Sequence, residues 1–190
     1  MANINSDLVQ LRTVNRCDTE GAEQQFAATV KIPAGTTIAQ NDTLSLAFLG
    51  AGHSVTEIRV FTDDLDDGTT MVWDVGYTKV SPGTGYAGTN SSGDAIDYGV
   101  DTGVTGVSPA SDTNYFVSGA TFGRAAGWSS LAIITDDTGD LAGPVRIVAT
   151  QVTSTPTQTT ASASDRIVKF LIKITRNARV PAFVDRGGYA

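Results

Sequence analysis

Few side chains in this sequence are suited to catalysis or metal binding, and they are widely spaced. Its 190 residues include one histidine, His53, and one cysteine, Cys17. Nucleophilic Ser-His-Asp and Cys-His sites need a histidine base, and His53 lies in a GAGHS turn between two strand patterns. A zinc site needs several Cys or His ligands, more than this chain has. We therefore predict no catalytic residues, no cofactor and no enzymatic activity.

Two acidic turns are the remaining candidates for chemistry. The first holds Asp63, Asp64, Asp66 and Asp67, and the second holds Asp136, Asp137 and Asp140. Loop carboxylates of this kind bind Ca²⁺, but neither turn has the spaced D-x-D-x-D-G pattern with a distant Glu. Aspartates in turns more often accept hydrogen bonds from nearby backbone. We predict no metal site, and the first turn is the better Ca²⁺ candidate.

Paired carboxylates also serve glycosidases, which leaves a function in carbohydrate chemistry open. Sugar clefts use aromatic platforms, and the two tryptophans are Trp73 and Trp128. A Ca²⁺-dependent carbohydrate-binding module or hydrolase built around the first acidic turn is therefore kept as an alternative.

The composition favours strands and turns over helices. There are 20 glycines, and charged residues make up 17% of the chain. Thr and Val suit a pleated surface, whereas Gly, Asp, Asn and Ser supply turn geometry. The sequence is thus typical of an all-β protein.

Charge and cysteine usage exclude several partners and compartments. The net charge of -7 disfavours binding to nucleic acid, which needs a basic footprint, and to anionic membranes. A lone cysteine cannot form an intrachain disulfide. The start, MANINSDLVQLR, does not resemble a signal peptide, and no apolar run is long enough to span a bilayer. We expect synthesis and folding in a cytoplasm.

Strand patterns occupy most of the chain. They cover residues 26–32, 43–49, 54–61, 69–77, 114–122, 128–135, 145–153 and 166–176. The pattern at 54–61 contains a local irregularity, and the alternation at 145–153 drifts. The connections up to residue 77 are short, which suits antiparallel strands but leaves no room for crossover helices. We predict an antiparallel β-sandwich of jelly-roll type.

The remaining segments suggest the domain organisation. Residues 1–25 form an N-terminal arm or an irregular first strand, and 26–176 form a single sandwich domain. A Gly- and Ser-rich stretch near 81–111 is either a surface excursion or packs on neighbouring subunits. Residues 177–190 form a locally basic C-terminal arm, which either reaches a neighbour or is simply disordered.

Two motifs resemble a pattern in small structural proteins of tailed bacteriophages. In those proteins a K-[IL]-P-x-G-[ATV] strand end is followed, after a hairpin, by T-x-x-[LVW]-D-[VI]-G. The matching residues here are Lys31, Ile32, Pro33, Gly35, Thr69, Thr70, Val72, Trp73, Asp74, Val75 and Gly76. The similarity covers about residues 26–79.

The motif residues also have roles that follow from their chemistry. Pro33 and Gly35 end a strand in a turn, and Gly76 allows close approach to another backbone. Asp74 lies among apolar residues and needs a backbone donor if it is buried.

The resemblance implies a function without catalytic residues. It implies a head decoration or minor virion protein, located on the capsid surface and bound to the major capsid protein. Such proteins are often homo-oligomers, and a trimer is favoured here. A head-fibre or tail-associated virion protein is the alternative within this class.

Overall fold

The computed structural model describes residues 3–11, 14–15, 22–50, 53–66, 70–79, 87–89, 95–97, 112–133, 145–153 and 164–176. Within these ranges the chain forms twelve strands and one short helix. They are β1 (Asn3–Asn5), α1 (Asp7–Gln10), β2 (Val14–Asn15), β3 (Glu23–Ile32), β4 (Thr43–Leu49), β5 (His53–Thr62), β6 (Trp73–Lys79), β7 (Ala87–Thr89), β8 (Ala95–Asp97), β9 (Asp112–Ala120), β10 (Gly127–Leu131), β11 (Val145–Gln151) and β12 (Arg166–Arg176).

The strands form two large sheets and one small one. The six-stranded sheet has the order β1-β4-β11-β6-β9, and β2 also pairs with β4. The four-stranded sheet has the order β10-β5-β12-β3, and β7 pairs with β8. All pairs are antiparallel except those that β1 and β2 make with β4.

The two large sheets pack against each other around one hydrophobic core. A single cluster of buried side chains includes residues from both sheets, such as Leu44 of β4 and Ile172 of β12. Three aromatic rings cross the interior: Trp73 stacks on Phe122 at 5.2 Å, and Phe122 meets Phe170 edge-on at 5.5 Å. The all-β sandwich is thereby confirmed, and the jelly-roll topology stays a prediction.

A β-bulge explains the irregular pattern of β5. The register between β12 and β5 shifts at Lys173/Ile174, which leaves Thr56 without a paired residue on β12. Val55 and Ile58 both face the core because of this extra residue. A similar shift between β11 and β4 leaves Leu46 of β4 without a paired residue on β11. The drifting alternation of β11 has another cause: Val145, Ile147 and Ala149 alternate into the core, and Val148 on the other face is buried as well.

The bulge in β4 overrides the alternation of its sequence. Strict period-two alternation in 43–49 predicts Leu44, Leu46 and Phe48 on one face, but Phe48 pairs with Arg146 and lies outside the core cluster. Directly paired residues point to the same side of a sheet. Since Ile147 faces the core, its neighbour Arg146 and the opposing Phe48 face away from it.

Asp74 and Gly76 of the second motif hold β6 against β9. The carboxylate of Asp74 accepts a hydrogen bond from the Gly119 amide at 2.8 Å, so the predicted backbone donor is present. A Cβ at Gly76 would lie 2.1 Å from the carbonyl oxygen of Asp112. The predicted close backbone approach is therefore confirmed.

The first motif forms the turn after β3. The Thr36 amide donates to the Pro33 carbonyl at 3.1 Å, and Gly35 has a φ of 76°, which suits glycine. Asp165, just before β12, accepts from the Ala34 amide at 3.0 Å and pairs with Lys31 at 2.6 Å. The motif thus joins the end of β3 to the start of β12.

The N-terminal segment lies against both sheets. Ser6 is buried, caps α1 by accepting from the Val9 amide at 3.2 Å, and donates to the Leu46 carbonyl. Asp7 accepts from the Thr29 amide of β3 at 2.8 Å. Because β3 is an edge strand, this contact satisfies a backbone group that would otherwise be open to pairing.

The domain boundaries stay a prediction. The C-terminal segment 177–190 and most of 81–111 lie outside the described residues. The described helix, α1, is too short to cross a membrane.

Candidate functional site

His53 has a structural environment. It opens β5, is 4% exposed, and its Nδ1 lies 3.1 Å from the Gly50 carbonyl oxygen. The contact joins the start of β5 to the residue that follows β4. Cys17 lies outside the described residues.

Three aspartates of the first acidic turn each bind backbone amides. Asp66 is 1% exposed and accepts from the Thr70 and Met71 amides at 2.9 and 2.7 Å. Asp63 accepts from the Ile167 amide at 2.6 Å, and Asp64 accepts from that of Asp66 at 3.2 Å. These contacts fix the path of the chain from β5 towards β6.

The turn is not arranged as a metal centre within the described ranges. No three His, Cys, Asp or Glu side chains are grouped there to hold an ion. Asp67 and the second acidic turn (Asp136, Asp137 and Asp140) lie outside those ranges. Binding of Ca²⁺ by Asp63, Asp64, Asp66 and Asp67 therefore stays an untested candidate.

The most distinctive exposed surface lies on the outer face of the four-stranded sheet. We call it the aromatic–cationic patch. It consists of Arg59, Phe61, Trp128, Ile167, Lys169 and Leu171. The residues lie on β5, β10 and β12, the three strands next to each other on one side of this sheet.

Strand register sets the layout of the patch. Trp128, Phe61 and Lys169 are direct neighbours in one row across β10, β5 and β12. Arg59 and Leu171 form part of the next row. Paired side chains on one face lie about 5 Å apart, so the six residues form one continuous surface.

Trp128 is the most prominent member of the patch. It is 52% exposed, and Ile167 is 43% exposed. The ring of Phe61 lies 5.4 Å from that of Trp128 at an angle of 56°. The guanidinium of Arg59 lies over the Trp128 ring, 5.6 Å from its centroid, within the range of a cation–π contact. The ring of Phe61 and the guanidinium of Arg59 thus both contact the Trp128 ring.

Ion pairs neutralise the other cations on this face. Lys31 pairs with Asp165 at 2.6 Å. Hydrogen bonds from Lys31 and from the Ala34 amide lower the pKa of the Asp165 carboxyl. Lys173 pairs with Glu23 at 2.7 Å, and this hydrogen bond, with the charges of Glu23 and Glu57, raises the pKa of Lys173.

Arg59 and Lys169 are left without such partners. Of the described carboxylates, none forms an ion pair with either side chain. The acidic end of the face lies near Lys173, which both Glu23 and Glu57 approach. The patch therefore carries two cations that form no ion pair within the described residues, beside aromatic and aliphatic groups, a combination suited to binding another macromolecule.

The aromatic–cationic patch was not among the sites predicted from the sequence. Trp73 and Trp128 were both considered as possible sugar platforms, but Trp73 is fully buried. In β12, Phe170 lies in the core and its neighbour Leu171 lies on the outer face. The alternation in β12 was the one signal in the sequence that could have indicated the patch. It places Ile167 and Leu171 on the same face as Lys169, so apolar side chains share the outer face with a cation.

Comparison with known proteins relates the fold to phage capsids. No family model matches the sequence, and no curated protein is detectably similar to it. Among solved structures, a chain from the capsid of Ralstonia phage GP4 aligns with a TM-score of 0.58 at 20% identity, covering 93% of this chain and 100% of that one. A chain from the capsid asymmetric unit of cyanophage Pam1 aligns with a TM-score of 0.45 at 14% identity, covering 85% and 94%.

The first of these similarities is one of fold. It extends over nearly the whole of both chains, beyond the region of residues 26–79 that carries the sequence motifs. The resemblance to structural proteins of tailed phages is therefore confirmed at the level of the fold.

Proposed function

We propose that this chain is a non-enzymatic structural protein of a tailed-phage virion. In this proposal it is made in the host cytoplasm and decorates or cements the capsid surface by binding the lattice of the major capsid protein. It acts as a homo-oligomer, with a trimer favoured.

The observation that carries the proposal is the end-to-end likeness in fold to a chain from the Ralstonia phage GP4 capsid. Two features of the molecule agree with it. Three of the side chains considered for chemistry, His53, Asp63 and Asp66, are engaged in contacts with backbone groups. The aromatic–cationic patch offers a surface for a macromolecular partner.

Immunogold labelling of virus particles from the source culture tests the proposed location. Label distributed regularly over the head is the expected result. Label confined to one vertex or to the tail would contradict decoration of the lattice and favour a head-fibre or tail role. Particles without any label would contradict a virion role altogether.

The oligomeric state has its own test. Sedimentation equilibrium of the purified chain should give the mass of three copies, and a concentration-independent monomer would contradict the trimer. Labelling of particles remains informative in either case, because a monomer can also occupy a lattice.

A further inference from the structure

We propose that the aromatic–cationic patch is the surface through which this protein docks onto an acidic surface of its capsid partner. This inference rests on the proposed function and names the part of the molecule that makes the contact. The partner surface that fits the patch carries carboxylates around an apolar centre.

The residue types of the patch are those that dominate binding energy in protein interfaces. Trp and Arg are enriched among such residues, and large aromatic groups at the centre of a contact contribute most. Trp128, Phe61 and Arg59 lie together, and their mutual contacts hold Trp128 in place before binding. Little side-chain entropy is then lost when a partner covers the ring.

The patch is also held on a rigid support. Its members lie on β5, β10 and β12, which are joined by continuous antiparallel pairing. Their inward-facing neighbours, such as Val60 and Phe170, are fully buried in the core. A surface fixed in this way meets its partner without refolding.

Charge selects the kind of partner. The whole chain carries a net charge of -7, yet Arg59 and Lys169 lie on the outer face and form no ion pair with a described carboxylate. Two cations beside exposed apolar groups are complementary to an acidic protein surface.

The same charges argue against a second copy of this patch as the partner. A two-fold contact would place the patch against itself, so that Arg59 and Lys169 of one copy would face those of the other. Like charges brought together in an interface are unfavourable. A patch-to-patch contact between two copies is therefore disfavoured, and we assign the patch to the capsid partner.

The test measures binding to particles assembled without this protein. Wild-type chain is compared with Trp128→Ser and with the double variant Arg59→Glu, Lys169→Glu. We expect Trp128→Ser to weaken binding at least about 30-fold, the scale of a dominant interface residue. Charge reversal should weaken it at least as much, and wild-type binding should weaken as salt is raised.

Matched controls separate docking from general damage. Leu11 is another large apolar side chain at the surface, 74% exposed and at the end of α1, away from the patch. Leu11→Ser should bind as the wild type does. The charge-retaining double variant Arg59→Lys, Lys169→Arg should keep most of the affinity. Circular dichroism of each variant checks folding, and the charge variants stand alone if Trp128→Ser misfolds.

The outcomes distinguish the two proposals. If the wild type does not bind particles, the proposed function fails. If the wild type binds and the folded Trp128 and charge-reversal variants bind equally well, the function stands and the docking surface is wrong. If these variants instead dissociate the homo-oligomer, the patch is a contact between copies, which would also overturn the inference.

Discussion

The two large sheets of the sandwich differ in how their outer faces are used. In the four-stranded sheet, residues of β12 alternate between the core and a partly exposed face that carries Ile167 and Lys169. In the six-stranded sheet, Leu44 to Leu49 of β4 are buried without interruption, and so is every residue of β11 except Arg146. One sheet therefore has a face open to partners, whereas the centre of the other is covered on both sides.

The local chemistry follows the same division. On the six-stranded sheet, Val148 is 1% exposed although it lies outside the core cluster. Its neighbour Arg146 donates to the Thr78 hydroxyl at 3.2 Å, and burial lowers the pKa of its guanidinium. On the four-stranded sheet, Trp128 and Ile167 remain at the surface. Substitutions in the six-stranded sheet should therefore lower the stability of the fold, whereas substitutions in the aromatic–cationic patch should weaken binding to a partner.

The largest effect is expected at Gly76 in the six-stranded sheet. Gly76→Ala places a methyl group 2.1 Å from the Asp112 carbonyl oxygen and 2.5 Å from the Thr113 carbonyl carbon. Both are backbone atoms, so β9 must move, and we expect the free energy of unfolding to fall by about 3 kcal/mol or more. Urea denaturation of the variant and the wild type measures this difference.

Gly35→Ala is the matched control for that prediction. Nothing lies within 4 Å of a Cβ there, but φ is 76°, so backbone strain alone should cost about 1–2 kcal/mol. Equal losses at the two glycines would show that the close approach of β6 and β9 is unimportant.

A smaller loss is expected when Asp66 is removed from the acidic turn. Asp66→Ala leaves the amides of Thr70 and Met71 without the carboxylate that binds them, at a cost of about 2 kcal/mol. Asp64 is exposed, and Asp64→Ala should change stability by less than about 0.5 kcal/mol. Chemical denaturation compares the two.

Asp66→Ala also tests whether the first acidic turn binds Ca²⁺. If the turn binds the ion, millimolar Ca²⁺ raises the melting temperature of the wild type, and the increase is lost in Asp66→Ala. We expect no increase, because the Asp66 carboxylate already accepts two amides.

A pair of matched substitutions compares the outer faces directly. Val148→Thr keeps the shape of a buried side chain but adds a hydroxyl, which should cost about 1–2 kcal/mol. Ile167→Thr on the other sheet affects a side chain that is 43% exposed, and should cost less than about 0.5 kcal/mol. Similar values for the two variants would remove the distinction between the sheets. Thermal denaturation is sufficient to measure the difference.

The smallest effect is expected from the ion pair at the edge of the four-stranded sheet. Lys31 lowers the pKa of Asp165 below its usual value of 3.8. The pair therefore stabilises the fold above that value, and its contribution is lost as the pH falls through the lowered pKa. In Lys31→Met the pKa of Asp165 should rise towards its usual value, as followed by NMR titration. Both side chains of the pair are exposed to solvent, so the shift should shrink with salt. An unchanged pKa of Asp165 in the variant would contradict the assigned cause.

Much of the fold was predictable because strand patterning is local. The eight predicted strands correspond to β3, β4, β5, β6, β9, β10, β11 and β12. Asp74 and Gly76 were correctly assigned a backbone donor and a close contact, since a carboxylate among apolar residues needs a donor and a glycine within a strand often marks a close backbone approach. The irregular spacing of Val55 and Ile58 likewise indicated the bulge in β5.

The candidate site was not predictable in the same way. Arg59, Trp128 and Lys169 lie far apart in the sequence, and each is unremarkable in its own segment. Register between strands from distant parts of the chain brings them into one surface.

The sequence by itself determined the all-β class, the positions of the main strands and the turns that end them, because period-two hydrophobicity and turn residues act over a few neighbouring positions. Only the tertiary structure decided which strands are neighbours, that Phe48 turns away from the core, and that Trp128 is exposed while Trp73 is buried. Those outcomes depend on pairing between distant segments and on bulges that reverse the facing of a strand by one residue.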